Sequence, residues 1–303
     1  MSRISIIIPV YNDERHIERS LRSVCDQSII DQIEVIIIAD GCTDHSVGII
    51  RGILETCGNG ISSRLIVLPQ NKGVANSRKI GIAEATGEFV MFCDSDDWMD
   101  SKMCEKMLAA ADEKGSDLVV CDYNKVKDEG IGPVGPCYKE NYLRELLLCN
   151  VTGSLWNKMI RRSIMSRPDF CFPEHDFSED YVYCLQSAVF SSSISYVPEP
   201  LYYYLHRPDS IVRSNSAEKQ RKRYVDDMAN FALDINILKA NGLESVYRNE
   251  IIAHKLKVKN TYKYDKLLWK SIFPELKYDV LKSACIPLRS KVRFYFDLLR
   301  SFV

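Results

Sequence analysis

A chain of 303 residues with 46% hydrophobic content is long enough for one large domain with an appendage, or for two domains, and its composition is that of a globular protein. Its 40 basic and 41 acidic side chains leave a formal net charge of −1, but from Arg213 onward 19 Lys and Arg face only 10 Asp and Glu, the asymmetry of a basic appendage with an anionic partner. The 11 scattered cysteines show no CxxC or zinc spacing, no apolar run approaches the roughly 20 residues that span a bilayer, and Ile4–Val10 is too short for a signal peptide, so a disulfide scaffold, a zinc module and a membrane-spanning protein are excluded in favour of a reducing, cytoplasmic compartment.

The first half alternates strands and helices. Arg3–Val10 reads as a strand, and Asp13–Gln27, with Ile17, Leu21, Val24 and Cys25 at helical spacing, as an amphipathic helix. Glu34–Ala39 is a buried strand, followed by a helix from Asp44 to about Cys57 with Thr43 as its expected cap. Arg64–Pro69 is a third strand, Val74–Ala85 a helix, and Glu88–Cys93 a fourth strand that ends abruptly in Asp94, Asp96 and Asp97. A helix over Ser101–Lys114 leads to a strand over Asp117–Asp122. This alternation predicts an α/β fold with a mostly parallel sheet flanked by helices. The Gly- and Pro-rich stretch Asp128–Pro136 reads as a loop, Asn141–Cys149 as a helix and Tyr196–His206 as β-prone. Beyond Ser214 only helices are expected. In one of them Tyr224, Met228, Phe231, Ile235 and Leu238 form an apolar stripe stopped by Gly242, and another lies near Ser245–Lys259.

Polar residues punctuate each early strand end: Tyr11-Asn12-Asp13, Asp40-Gly41, Asn71-Lys72-Gly73 and Asp94-Ser95-Asp96. Ligands of open α/β sheets bind beyond the carboxyl ends of the strands, so four such ends together point to a nucleotide crevice. Tyr11 has the ring to stack on a base, Asp40 the oxygens to accept a base N–H, and Arg78 the fork for an oxygen-rich group. Asp94 and Asp96, two apart in extended chain, turn to one side and offer hard oxygens to Mg²⁺ or Mn²⁺; Asp and Ser are also ordinary turn formers, so from these residues alone both readings are open. Neither G-x-G-x-x-G nor G-x-x-x-x-G-K-[ST] is present.

In order and spacing, Pro9-Val10-Tyr11-Asn12, Ala39-Asp40-Gly41-Cys42-Thr43-Asp44, Asn71-Lys72-Gly73-Val74-Ala75-Asn76-Ser77-Arg78, Gly87-Glu88 and Asp94-Ser95-Asp96-Asp97-Trp98 closely resemble the motifs of family 2 glycosyltransferases with the GT-A fold. The likeness is strong to about Tyr123 and looser to about Ser214, where Trp156-Asn157-Lys158, Glu179-Asp180 and Tyr202–Ser210 are similar to bacterial members that build surface glycans. It implies a GT-A domain over 1–213 and a basic helical region over 214–303. The implied activity is inverting transfer of a sugar from a nucleotide-diphosphate donor, often a UDP-sugar, to a hydroxyl of a glycan or lipid-linked acceptor, with Mn²⁺ or Mg²⁺. By the same resemblance Pro9, Tyr11, Asp40, Asn71, Arg78, Asp94 and Ser95 belong to the donor side. Asp94 and Asp96 match the Asp-x-Asp pair, with Asp96 the direct metal ligand. His206 falls where some relatives place a metal or diphosphate contact, and Glu179-Asp180 matches the pair that contains the catalytic base, Asp180 being favoured. Ala39 departs from the family, where Asp is common, and Cys42 replaces a common Ser.

Two other functions share parts of this pattern. A sugar nucleotidyltransferase expects a Gly-rich, Arg- or Lys-bearing loop where Val10-Tyr11-Asn12-Asp13 stands, and a non-catalytic subunit would bind a nucleotide sugar without turning it over. Glu179 and Asp180 after Ser178 also read as a helix start. Trp156 suits a core position or a sugar platform, and His16, His45, His175 and His254 are expected to be solvated or incidental. In the last segment Leu288, Val292, Tyr295, Leu299 and Phe302 share a face, with Arg289, Lys291, Arg293 and Arg300 elsewhere. That face suits a helix bundle or a homo-oligomer, or else an anionic bilayer at the inner face of the membrane, where lipid-linked acceptors reside. No motif supports nucleic-acid binding.

Overall fold

The computed structural model describes residues 2–57, 61–207, 217–262 and 265–300. Pro208-Asp209-Ser210, the expected boundary at 213/214 and Phe302 lie outside the described residues. The chain runs through β1 (Ile4–Val10), α1 (Ile17–Cys25), β2 (Ile33–Asp40), α2 (Ser46–Cys57), β3 (Ser62–Leu68), α3 (Val74–Glu84), β4 (Phe89–Phe92), the short β5 (Trp98–Met99), α4 (Met103–Lys114) and β6 (Leu118–Lys127). It continues with β7 (Gly130–Val134), α5 (Tyr142–Leu147), β8 (Lys158–Arg161), α6 (Arg162–Met165), α7 (Glu179–Phe190) and β9 (Ile194–Leu205). Helices alone follow: α8 (Ala217–Ala240), α9 (Arg248–Thr261), α10 (Lys266–Ser271), α11 (Leu276–Asp279) and α12 (Leu288–Arg300).

The strands form one sheet in the order β3-β2-β1-β4-β8-β6-β9-β5, with β7 paired to β6 beside this path. β3, β2, β1 and β4 are parallel. The isoleucine-rich runs of β1 and β2 are buried because such inner strands have both faces covered, whereas β3 at the edge is exposed or half-buried. The chain leaves β1 in one direction to build β2 and β3 and returns to place β4 on the other side. The β1/β4 boundary is therefore the switch point at which a crevice opens beyond the strand ends. β8 runs antiparallel to both β4 and β6, so the sheet is mixed beyond its parallel first half. The stretch expected to be a loop contains β7, whose Gly130–Val134 pairs with Tyr123–Lys127. Pro133 is tolerated there because an edge strand need not donate on both sides. At the start of α2, Asp44 rather than Thr43 accepts the Ser46 N–H (3.0 Å).

One buried carboxylate ties the sheet's lower edge together. Glu34 Oε1 accepts from Ser5 Oγ (2.5 Å), Thr86 N (2.6 Å), Thr86 Oγ1 (2.9 Å) and Gly87 N (3.0 Å). Burial pushes its pKa up, but these hydrogen bonds outweigh burial and hold it below the ordinary carboxylate value. Glu34→Ala is expected to destabilise the fold by about 3 kcal/mol in urea titrations, because several buried donors lose their acceptor. Since the folded pKa is depressed, this contribution is present above the unfolded value and is lost as the pH falls through the folded one. A wild-type and variant whose stabilities do not converge in acid would contradict this.

Two compact units are present, Met1–Tyr138 with Gly153–Asp234, and Lys139–Thr152 with Ile235–Val303. In the second, α5 packs on α9, and Ile252, Leu256, Trp269, Leu276, Val280, Ile286 and Phe294 form the core. His254, expected to be solvated, is buried in this unit, and its pKa is pushed down to about 4 by burial. The predicted apolar face of α12 is not the packed one: Leu288, Val292 and Leu299 are exposed together with Phe296, whereas Phe294 is buried and Tyr295 and Leu298 lean on the core. Among the described residues no helix is long and apolar enough to cross a membrane.

Candidate active site

At the switch point lies a crevice of about 770 Å³, within the size range of small-molecule sites. Pro9, Tyr11, Asp40, Asn71, Arg78, Asp94, Ser95, Asp96, Glu179 and Asp180 all line it. His206 does not: its backbone N–H bonds to Val126 O (2.9 Å), and the next residue, Arg207, lines the crevice instead. Successive side chains of extended backbone point to opposite sides, so one residue decides which of the two enters.

The loops that follow β1, β2 and β3 are locked to one another. Asn12, at φ 47°, accepts the Thr43 N–H on its side-chain oxygen (2.7 Å). Asp40 uses one oxygen for Lys72 N and the other for Gly73 N, both at 2.9 Å, so it orders the third-strand turn as well as facing the crevice. Gly41 (φ +65°) lets that turn approach, since a Cβ there would strike the Gln70-Asn71 backbone. Gly73 (φ +92°) does the same for Asp176, whose carboxylate would meet a Cβ and which accepts the Ala75 N–H (3.2 Å). Tyr11 stands half-exposed at the lip, as a ring that stacks on a ligand must.

Deeper in, Arg78 is buried and joins two acidic groups from different elements. Its Nη2 lies 3.0 Å from Asp94 Oδ1, after β4, and its Nη1 pairs with Glu179, the first residue of α7. The two carboxylates hold Arg78 charged: burial opposes this, but their attraction raises its pKa overall. Burial in turn raises Glu179, against the pull of Arg78 and with Asp180 adding to the rise. Asp180 is raised as well, again chiefly by burial, and its Oδ1 accepts the Tyr181 N–H (2.8 Å). Adjacent carboxyls with raised proton affinity are the electrostatic setting of a general base that works near neutrality. The helix start and the acidic pair are thus the same residues.

The three aspartates after β4 divide into different roles. Asp97 is buried away from the crevice, where it accepts from Tyr202 Oη (2.9 Å) and Leu205 N (2.7 Å) and fixes β9. Ser95 Oγ donates to Asp13 Oδ2 (2.7 Å). Asp96 lies 3.3 Å from Arg207 Nε, and burial with Asp94 beside it pushes its pKa up to about 6 despite Arg207. The carboxylates of Asp94 and Asp96 both line the crevice and offer hard oxygens there. Among the described residues no group of three or more His, Cys, Asp or Glu has metal-binding geometry. Asp94 and Asp96 could contribute to a site for Mg²⁺ or Mn²⁺ only as one or two carboxylates, with waters and substrate phosphate completing the shell.

Asp13, at the first of the predicted strand ends, is buried and lines the crevice. Other residues around the site escaped the sequence reading. His16, expected to be incidental, bonds to Asp13 (2.6 Å). On α8 the predicted apolar stripe is buried at Phe231 and Leu238 and half-buried at Tyr224, Met228 and Ile235, and polar residues are buried beside it: Asp226, Asp227, Asn230 and Asp234. Asn230 Nδ2 donates to His175 O (3.0 Å) and Phe177 O (2.7 Å), Ser178 Oγ donates to Asp227 (2.9 Å), and His175 pairs with Asp226 (3.2 Å). The turn that presents Glu179 and Asp180, with Ser178 at φ 63°, is thus held by α8. Asp and Asn at helical spacing in an otherwise basic helix were the available signal. Trp156 is buried, stacked on Tyr202 (4.7 Å between centroids) and Tyr204 (5.5 Å).

Residues 5–166 match the profile described as Glycosyl transferase family 2. EpsH of Bacillus subtilis is 34% identical over 260 residues, covering 82% of this chain and 72% of EpsH. TarS of Staphylococcus aureus, a poly(ribitol-phosphate) beta-N-acetylglucosaminyltransferase, is 27% identical over 261 residues, covering 84% of this chain but only 44% of TarS. Among solved structures, TarS 1–349 in complex with UDP-GlcNAc aligns with a TM-score of 0.60 at 21% identity, over 88% of this chain and 84% of that one. A Pyrobaculum calidifontis mannosyltransferase in complex with GDP-Man and Mn²⁺ aligns with a TM-score of 0.56 at 16% identity, over 99% of this chain and 81% of that one. At these identities the two structural likenesses speak for the shared fold.

Proposed function

The chain belongs to glycosyl transferase family 2, and on that premise we propose that it transfers a sugar, with inversion, from a nucleotide-diphosphate donor to a hydroxyl of a glycan or lipid-linked acceptor. The carrying observation is that two acidic groups, Asp94 with Asp96 and Glu179 with Asp180, reach one crevice from different elements and are joined by the single buried guanidinium of Arg78. Single-displacement transfer needs this separation, with one acidic group for the donor's phosphates and another for the acceptor's proton.

In the proposed reaction Tyr11 stacks on the base while Pro9, Asp40, Asn71 and Ser95 shape the donor side. Asp180 takes the proton of the acceptor hydroxyl as its oxygen forms a bond to the anomeric carbon. The bond from that carbon to the diphosphate oxygen breaks, and the nucleoside diphosphate leaves. Arg78 and Arg207 supply positive charge around the crevice. A Mn²⁺ or Mg²⁺ ion would be held by Asp96 directly and by Asp94 directly or through water. When bound it stabilises charge on the leaving diphosphate. UDP-sugars are the first donors to try, since TarS was solved with UDP-GlcNAc. We place the catalytic domain over about residues 1–213, extended by the first turns of α8 that line the crevice, and the site of action in the cytoplasm at the inner face of the membrane.

The deciding experiment measures nucleoside diphosphate release across common nucleotide sugars, with and without Mn²⁺. Asp96→Asn is expected to leave the fold intact and to lower Mn²⁺-dependent transfer by at least about 100-fold, because several kcal/mol of charge stabilisation are lost. Unchanged metal dependence in that variant would remove Asp96 from its role. Tight nucleotide-sugar binding without any release would instead favour a binding subunit.

A further inference from the structure

The side of α12 that faces away from its unit's core is both apolar and basic. Leu288 (75% exposed), Val292 (63%), Phe296 (53%) and Leu299 (69%) follow one another at steps of four, four and three, which gathers them within an arc of about 80° on a helix of 3.6 residues per turn. Arg289 and Arg293, both exposed, run along one edge of this arc. At the other edge Lys291 Nζ donates to Leu281 O (2.8 Å) and Tyr295 Oη to Lys277 O (2.6 Å). These bonds tie α12 to the chain in and just after α11, where Tyr278 and Leu281 are exposed as well. Lys277 and Lys282, also exposed, stand next to them. From Leu276 to Arg300 the sequence has six Lys and Arg against two Asp. Each of those aspartates already faces an arginine, Asp279 at 3.8 Å from Arg248 and Asp297 at 3.9 Å from Arg293.

Large apolar groups exposed in one contiguous strip mark a surface that is covered in use. We propose that this strip docks on an anionic lipid surface, with Leu288, Val292, Phe296 and Leu299 entering the interface and Arg289, Arg293, Lys277 and Lys282 meeting the headgroups. An apolar stripe edged by cations on a short amphipathic helix is the physical form of such a contact. Charge decides against a second copy of the chain. Self-pairing of the strip would bring two sets of arginines to one seam, and the two aspartates of this stretch already face arginines. Docking of this kind requires neither donor nor acceptor, so its failure and that of the proposed transfer are read separately.

The test is co-sedimentation of the full chain with vesicles of phosphatidylcholine alone and with a share of phosphatidylglycerol, alongside donor-dependent nucleotide release as an independent readout. Binding is expected to anionic vesicles only and to weaken with salt. The double variants Val292→Ser with Phe296→Ser and Arg289→Glu with Arg293→Glu are each expected to lower partitioning by roughly tenfold or more, with unchanged circular dichroism and nucleotide release. Absence of binding to anionic vesicles at low salt overturns the proposal, and so does equal binding by both variants. A wild-type dimer in solution that the Ser variant dissociates would assign the strip to a second copy and also overturn it.

Discussion

Asp180→Asn is expected to reduce turnover by about 10³-fold while nucleotide-sugar affinity, measured by calorimetry, stays within a few-fold of wild type. Asn keeps the size of the side chain and its oxygen toward the Tyr181 N–H, so the turn that opens α7 survives, but it takes no proton from an acceptor. The wild-type rate should depend on pH in a definite sense. Burial raises Asp180 above the ordinary aspartate value, with Arg78 and the Tyr181 N–H pulling it back and Asp94 adding to the rise. The base is active when deprotonated, so activity should fall as the pH drops through this raised value and level off above it. Glu179→Gln, which leaves Asp180 in place, is expected to retain measurable turnover. If instead Glu179→Gln is dead and Asp180→Asn active, the two residues exchange roles.

Removal of Arg78 should do more damage still, to fold and site together. Its guanidinium is buried between Asp94 and Glu179 and 5.8 Å from the centre of the Phe92 ring. Arg78→Ala would leave Glu179 buried without its partner, a change that costs about 3–5 kcal/mol for a buried pair. Urea titrations should show that loss, and donor binding should fall below detection. Arg78→Lys restores the charge but not the fork that spans two carboxylates. It should recover part of the stability and little of the donor affinity. Wild-type stability in the alanine variant would mean that the pair contributes nothing to the folded state.

The residues that gathered in the crevice were legible because each closes an apolar strand with a polar stop: Asp40 after β2, Asn71 after β3, Asp94 and Asp96 after β4. A parallel sheet with a switch point converts that linear punctuation into one place. Arg78 and Glu179 lie 101 positions apart in the chain, and residue types and family likeness, not periodicity, pointed to each. Other features left no such trace. β8 has only four residues, Lys158–Arg161, too few to show a strand period, and begins with a buried lysine. β7 is built from Gly and Pro, whose usual meaning is a turn. The first half of α8 also buries polar residues because its partner there is the backbone of 175–178, which needs donors and acceptors, and the apolar stripe, buried at Phe231 and Leu238, gave no sign of them. Arg207 and His206 differ by one position, and only the direction of the chain as it leaves β9 separates them.

The chain visits its second unit twice. Residues 139–152, passed on the way from β7 to β8, fold with helices that follow 234: Arg144 Nε reaches Glu250 (2.9 Å), Tyr247 Oη reaches Asn141 (3.2 Å), and Leu148 leans on the core of Trp269 and Leu276. The region that follows 234 is consequently not a detachable tail. Ending the chain after α8 would strip α5 of its α9 partner and take from Leu148 the core it leans on, so this early segment acquires its packing only once the helices beyond 234 have been synthesised.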